Sequence, residues 1–267
     1  MSDSRVRLLT GMRFPEVDWS DEDKPVLILD GRVVPAKDLM GDVQGKDAYG
    51  VGFSEKTFRG LCRHLRVERL QLYELRVADL APLSALVELT ELAITWNTKA
   101  TSLEPLATLS ALEVLVLEDL PKVRSIEPLR ALRRMRALDF SGGIWNKNRA
   151  ETLEPLAALP LLEELWLTNL RVERDGLRPL ARCRSLRSLT VSNQFDTADY
   201  AYLAAKRPDI ECEHLAPWVA LGDGAASGIG GKDRMVVGRR KPFPVSYTHL
   251  RAHETAMNIS YAVFCLN

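Results

Sequence analysis

The sequence predicts an α/β fold: a coiled parallel sheet of short strands joined by short 3₁₀ or α return segments, with a cap at its N-terminus. Three observations carry this expectation. The phrase Leu-x-Pro-Leu-x-x-Leu-x-x-Leu-x-x-Leu-x-Leu recurs from Leu80, Leu103, Ile126, Leu153 and Leu177. Its closing Leu-x-Leu has the period of a strand with one buried face. Its proline stands at a fixed place, at Pro82, Pro105, Pro128, Pro155 and Pro179. Self-similarity at a fixed period means that each unit stacks on the next.

The strands come first. The first apolar slot holds Leu70, Leu92, Leu115, Leu138, Leu165 and Leu189, and the second holds Leu72, Ile94, Leu117, Phe140, Leu167 and Val191. Successive first slots are 22, 23, 23, 27 and 24 residues apart. One strand per turn of chain, always in the same direction, gives a parallel sheet. In the return segments proline fits the first helical turn, where its missing N–H would have no partner. Leucines at three-residue spacing, such as Leu103, Leu106, Leu109 and Leu112, suit a short turn with one inward stripe. Burying each is worth roughly 1.5–3 kcal/mol. Cys183 occupies one of these leucine slots and reads as a small buried hydrophobe.

The flanks read differently. Residues 1–64 form the expected cap. Val26–Leu29 and Arg32–Val34 surround Asp30-Gly31, a hairpin turn signal. Ser54 is placed to cap a helix with Phe58, Leu61, Cys62 and Leu65 on one face. Repeats occupy 65–212, and residues 213–244 make a C-terminal flank. Within and around that end we expect a helix over Thr197–Lys206 with Tyr200, Leu203 and Ala204 inward. A strand is expected near Ile210–Cys212, a glycine-rich loop over Gly222–Lys232 and a last strand over Met235–Val237.

The repeated phrase resembles the leucine-rich repeat family over about residues 65–212, in particular its 22-residue bacterial, internalin-like type. That resemblance implies a curved solenoid and a protein-interaction role. The family places Asn three residues after the second strand leucine. Here only Asn97 does so, and the slot otherwise holds Leu75, Leu120, Gly143, Leu170 and Gln194. We therefore expect apolar packing at that corner.

Residues Val245–Thr255 and Ile259–Leu266 resemble the in-frame translation of the two ends of a sequencing adapter. The segment 245–267 is thus expected to be non-native and not to pack on the core, with the native C-terminus lost beyond about residue 244.

Composition narrows function. The chain has 36 basic and 36 acidic residues, a balance unlike that of a general nucleic-acid binder. No apolar run reaches the length of a membrane span, and the N-terminus lacks a secretory core. With no disulfide spacing among Cys62, Cys183 and Cys212, a cytoplasmic location is expected. His64 and His214 are far apart, no Cys-x-x-Cys occurs, and the glycine-rich stretch lacks a phosphate-loop ending. We therefore expect no catalytic residue, no metal and no cofactor.

The residues beside the buried leucines should point onto the concave face. Among them Glu91, Glu118, Asp139 and Glu164 form an acidic strip, with Arg69 as the one base. Tyr73 and Trp166 stand on the same face and Trp96 at its rim. Aromatic side chains anchor interfaces, and an acidic strip steers a basic partner. The 27-residue repeat adds a polar insertion carrying Trp145, read either as a contact loop or as a cover for the repeat edge. Arg130, Arg133, Arg134, Arg178, Arg182 and Arg184 map to the convex side. The expected function is a noncatalytic module binding a protein or peptide, with basic ones among the candidates. The alternative is a targeting or structural segment of a larger effector or enzyme.

Overall fold

The computed structural model describes residues 25–34, 41–220, 234–238 and 244–245. The described residues open with a hairpin, β1 (Val26–Leu29) and β2 (Arg32–Val34), in which Leu29 faces Arg32. Asp30 and Gly31 form the turn at φ 47° and 78°, the left-handed pair that matches strand twist. After β3 (Val43–Gln44) and β4 (Asp47–Val51) comes α1 (Glu55–His64). Ser54 precedes it as the N-cap, its N–H donating to Thr57 Oγ1 at 3.0 Å. Phe58, Leu61, Cys62 and the following Leu65 are buried, as the sequence spacing requires.

Two-residue β5 (Leu65–Arg66) leads into β6 (Arg69–Tyr73), β7 (Glu91–Thr95), β8 (Val114–Glu118) and β9 (Ala137–Asp139). The coil continues with β10 (Asn148–Ala150), β11 (Glu164–Leu167), β12 (Leu170–Val172) and β13 (Ser188–Val191). One nine-stranded sheet runs β13-β11-β9-β8-β7-β6-β4-β1-β2, parallel from β13 to β4 and antiparallel in the terminal hairpin. The return segments are 3₁₀ turns at Ala81–Ala85, Glu104–Thr108, Glu127–Ala131, Glu154–Ala158 and Arg178–Arg182, each with its proline in the first turn. Every leucine slot of both ladders is buried, and Cys183 is 1% exposed within the same core. Burial pushes the Cys62 and Cys183 thiols up to about 12, so both are packing groups at neutral pH.

The parallel ladder reaches one strand further back than the repeat phrase. β4 pairs with β6 in the 22-residue register of the repeats, Ala48 opposite Leu70 and Gly50 opposite Leu72. It is a rung without leucines. A Cβ on Gly50 would stand 2.9 Å from the Phe53 ring and 3.0 Å from Leu72, because Phe53 fills the volume a leucine would take.

Glu74, Trp96, Asp119 and Asn169 each lie two residues beyond a second strand slot and have φ between 46° and 59°. Each costs roughly 1–2 kcal/mol for a non-glycine residue. The left-handed step turns the chain out of the sheet while its N–H still reaches the next repeat. Trp96 N–H, for example, donates to Glu118 O at 2.9 Å.

At the next position Leu75, Leu120 and Leu170 are buried, the apolar corner expected. Polar bridges also persist. Gln194 accepts from Leu170 N–H at 3.0 Å and donates to Leu167 O at 2.7 Å. Asn148, fully buried, accepts from Leu120 N–H at 2.7 Å and donates to Leu117 O at 3.1 Å. The insertion thus moves the bridging residue of the long repeat from Gly143 to Asn148. Asn97 accepts from Lys99 and Ala100 N–H at 3.0 and 2.9 Å, and its buried Nδ2 has no partner among the described residues.

The insertion's first residue is sterically fixed. A Cβ on Gly142 would fall 2.3 Å from Asn169 O and 2.6 Å from Asn146 O. Gly142→Ala is therefore expected to lower stability by about 1–3 kcal/mol, read as a shifted urea midpoint with unchanged slope.

Beyond β13, α2 (Thr197–Lys206) covers the open end. Tyr200 and Leu203 face inward as expected, but Ala201 is buried in place of Ala204, because the helix rolls Tyr200 into the end of the core. The Tyr200 hydroxyl donates to Ser192 O at 2.6 Å. The expected strand near Ile210 is reduced to a single parallel bridge, Ser188 to Glu211. β14 (Trp218–Ala220), β15 (Arg234–Val236) and β16 (Pro244–Val245) form a small antiparallel sheet. Val245, the first residue of the segment read as adapter-derived, pairs with Arg234. The rest of that segment and the Gly222–Lys232 loop lie outside the described residues.

Candidate functional site

Strand register orders the concave face into three rows. The first runs Asp47, Arg69, Glu91, Val114, Ala137, Glu164, Ser188. The central row runs Tyr49, Gln71, Ala93, Val116, Asp139, Trp166, Thr190. The third opens with Val51, Tyr73, Thr95, Glu118. Asp47, Tyr49 and Val51 come from β4, whose place in the ladder the leucine count could not reveal. Alternation within residues 47–51 is the signal that marks them.

The centre of this face is not a solvated sheet. Ala93, Val114, Val116 and Ala137 are buried against one another with Trp166 packed on them. Inward curvature crowds the short side chains and removes water from between them. An aromatic group stands at each end of this saddle. On one side Tyr73 meets Trp96 edge-on at 5.8 Å, and Tyr49 lies a rung away on the central row. On the other stands Trp166. Tyr73 and Trp166 are four rungs apart, about 19 Å at normal strand spacing.

The acids differ in setting. Glu91 is half-buried, and desolvation raises its carboxyl above the usual range against the pull of Arg69. Arg69 itself is held by a two-point ion pair with Asp47, so the one base among the described residues of these rows is already matched. Desolvation, with Asp119 beside it, also raises Glu118. Asp139 stands on the concave face, as its place in the strand requires, but is buried there. It is 8% exposed, flanked in register by Val116 and Trp166, and burial pushes its carboxyl up to about 7. Its partner is the Ser141 hydroxyl, which donates to Oδ1, while Glu118 adds repulsion. Glu164 sits one rung from Ala137 at the edge of the saddle. Gln71, 8% exposed in the central row, has a buried Oε1 without a hydrogen-bond partner among the described residues.

Trp145 does not fold back over the repeat edge. It is 88% exposed and Ile144 91%, at the tip of a loop leaving the same strand ends as Trp96. The loop base is pinned, with Asn169 Nδ2 donating to Gly143 O at 2.6 Å and to Asn146 O at 3.1 Å. Among the described residues no group of three or more His, Cys, Asp or Glu is arranged to hold a metal. No helix there is long and apolar enough to cross a membrane.

A parallel ladder with one short 3₁₀ return per turn, an apolar stripe in every slot and left-handed corners defines a leucine-rich repeat solenoid. Solved structures similar to it include two internalins and another leucine-rich repeat protein. An internalin of Listeria monocytogenes is 23% identical with TM-score 0.47, over 60% of this chain and 43% of that one. Internalin C2 of the same organism is 23% identical with TM-score 0.46, over 69% of this chain and 76% of that one. A leucine-rich repeat protein of Leptospira interrogans is 13% identical with TM-score 0.41, over 60% and 44%. The chain thus spans less than half the length of the first and third of these. No protein-family model and no curated protein matches the sequence.

Proposed function

We propose that the chain is a noncatalytic protein-binding module whose concave face takes an extended segment carrying a basic side chain. The observation that supports this reading is Asp139. A carboxylate buried in the central row, with a hydroxyl for partner, lacks a cation among the described residues. A lysine or arginine laid over Trp166 would supply one, gaining a charge-assisted hydrogen bond and a ring contact together. Glu118 would add to the attraction, with Glu91 and Glu164 along the rim. The apolar saddle suits small aliphatic side chains, and Gln71 Oε1 offers an acceptor to a backbone N–H. Tyr73 and Trp96 would anchor the far end, and Trp145 would touch a partner that overhangs the strand ends. The reduced thiols Cys62, Cys183 and Cys212 favour a cytoplasmic setting.

Affinity capture from lysate, with the captured proteins quantified, tests the placement. Glu118→Lys with Asp139→Lys is expected to lose the main partners at least tenfold, as is Trp166→Ala. Asp139→Asn keeps the fold without the charge and guards against misfolding of the lysine variant. If all three variants retain every partner, the concave face is not the binding face.

A further inference from the structure

The convex side carries a second, oppositely charged feature. Three consecutive return segments align there. The central one presents Ala157, Ala158 and Pro160, all short side chains. At the matching positions the segment before it carries Arg130 and Arg133, and the one after carries Arg182 and Arg184. The result is a cleft of about 710 Å³ with an alanine–proline floor and an arginine wall on each side, lined also by Glu154, Leu159 and Ala181. The walls are two repeats apart, about 10 Å.

Part of this charge is already matched. Arg182 pairs with Glu154, and Arg130 with Glu127 just outside the cleft. Arg133 donates to Ala158 O at 2.6 Å, which holds its stem along the floor. Among the described residues neither Arg133 nor Arg184 has a carboxylate within ion-pair distance, and they stand on opposite walls.

We infer that this trough is a binding site for an acidic peptide segment in extended conformation. Guanidinium groups on both sides can each take a carboxylate by two parallel hydrogen bonds. A floor of alanine methyls and proline methylenes matches the aliphatic stems of glutamates. Nucleic acid fits less well. The trough spans three repeats, contains Glu154, and belongs to a chain with equal basic and acidic totals, whereas backbone recognition relies on many phosphate contacts. The site is independent of the concave face.

Fluorescence anisotropy with a labelled deca-glutamate peptide, on the full chain at low salt, tests the assignment. The wild type is expected to bind it and to ignore a Gly-Ser peptide of equal length. Arg133→Glu with Arg184→Glu should weaken binding at least tenfold with the thermal unfolding curve unchanged. Ala157→Glu puts a carboxylate on the floor and removes no arginine, and should act in the same direction. Glu118→Lys should leave this binding within twofold. Binding of deca-glutamate that survives both trough variants, or no binding by the wild type, overturns the proposal. So does tighter, trough-dependent binding of a ten-nucleotide single strand, which would make this a nucleic-acid surface.

Discussion

Asp139→Asn is expected to stabilise the protein by about 2–4 kcal/mol at pH 8 and to leave it nearly unchanged at pH 4. The sign follows from where the proton sits. The ordinary carboxyl value is 3.8, and in the folded chain burial lifts Asp139 to about 7. Well below pH 3.8 the group is neutral in both states and contributes nothing. Between pH 4 and 7 the folded state keeps a proton that the unfolded state releases, so stability falls as pH rises. Above pH 7 the folded state carries a buried charge and the full penalty applies. Asparagine removes that charge and can still accept from the Ser141 hydroxyl. Urea unfolding of both proteins across pH 4–8 measures this, and an equal difference at the two ends would mean that Asp139 is ordinarily solvated. The same linkage bears on binding. A partner's cation favours the ionised form, so capture of a basic partner should strengthen from pH 6 to pH 8.

Asn148→Ala should cost about 2–5 kcal/mol at any pH. The side chain serves one buried N–H and one buried carbonyl, Leu120 N and Leu117 O. Alanine leaves both without partner or water. Gln194→Ala, which breaks the same kind of bridge at a half-exposed site, should cost less. Comparing urea midpoints of the two variants checks the ranking. Equal losses would show that burial at residue 148 carries no extra weight.

These two residues also mark the limits of sequence reading. The return turns, the core and the hairpin follow from periodicity and turn chemistry, since leucine spacing and Asp30-Gly31 permit few alternatives. Asn148 escaped because the insertion shifts it five places from the counted slot, and only the fold shows that Asn148 and Gln194 make the same bridge. β4 escaped because Ala48 and Gly50 have no leucine to count, Phe53 having taken the space. For Asp139 the sequence yields the face but not the medium. Alternation gives direction, whereas burial depends on curvature and on neighbours such as Val116 and Trp166 that are distant in sequence. For the same reason the acidic strip is not uniform, with Arg69 already matched at one end and Asp139 desolvated near the other. The trough was half legible. The arginines were visible as a convex set, but the flat repeat between them acquires meaning only when the segments are aligned in space.

The rung formed by β4 bears on how the molecule comes apart. A cap laid on the end of a solenoid would leave a seam where the ladder could open first. Here one continuous apolar cluster reaches from Leu27 to Val237, and backbone hydrogen bonds cross from the hairpin to β13 without interruption. In a stack whose units gain most of their stability from nearest neighbours, such continuity spreads cooperativity along the whole length. Opening should therefore fray inward from the two ends, so that the central strands β8, β7 and β6, with Val116 and Ala93 of the saddle, lie in the last part of the protein to exchange its amides with solvent.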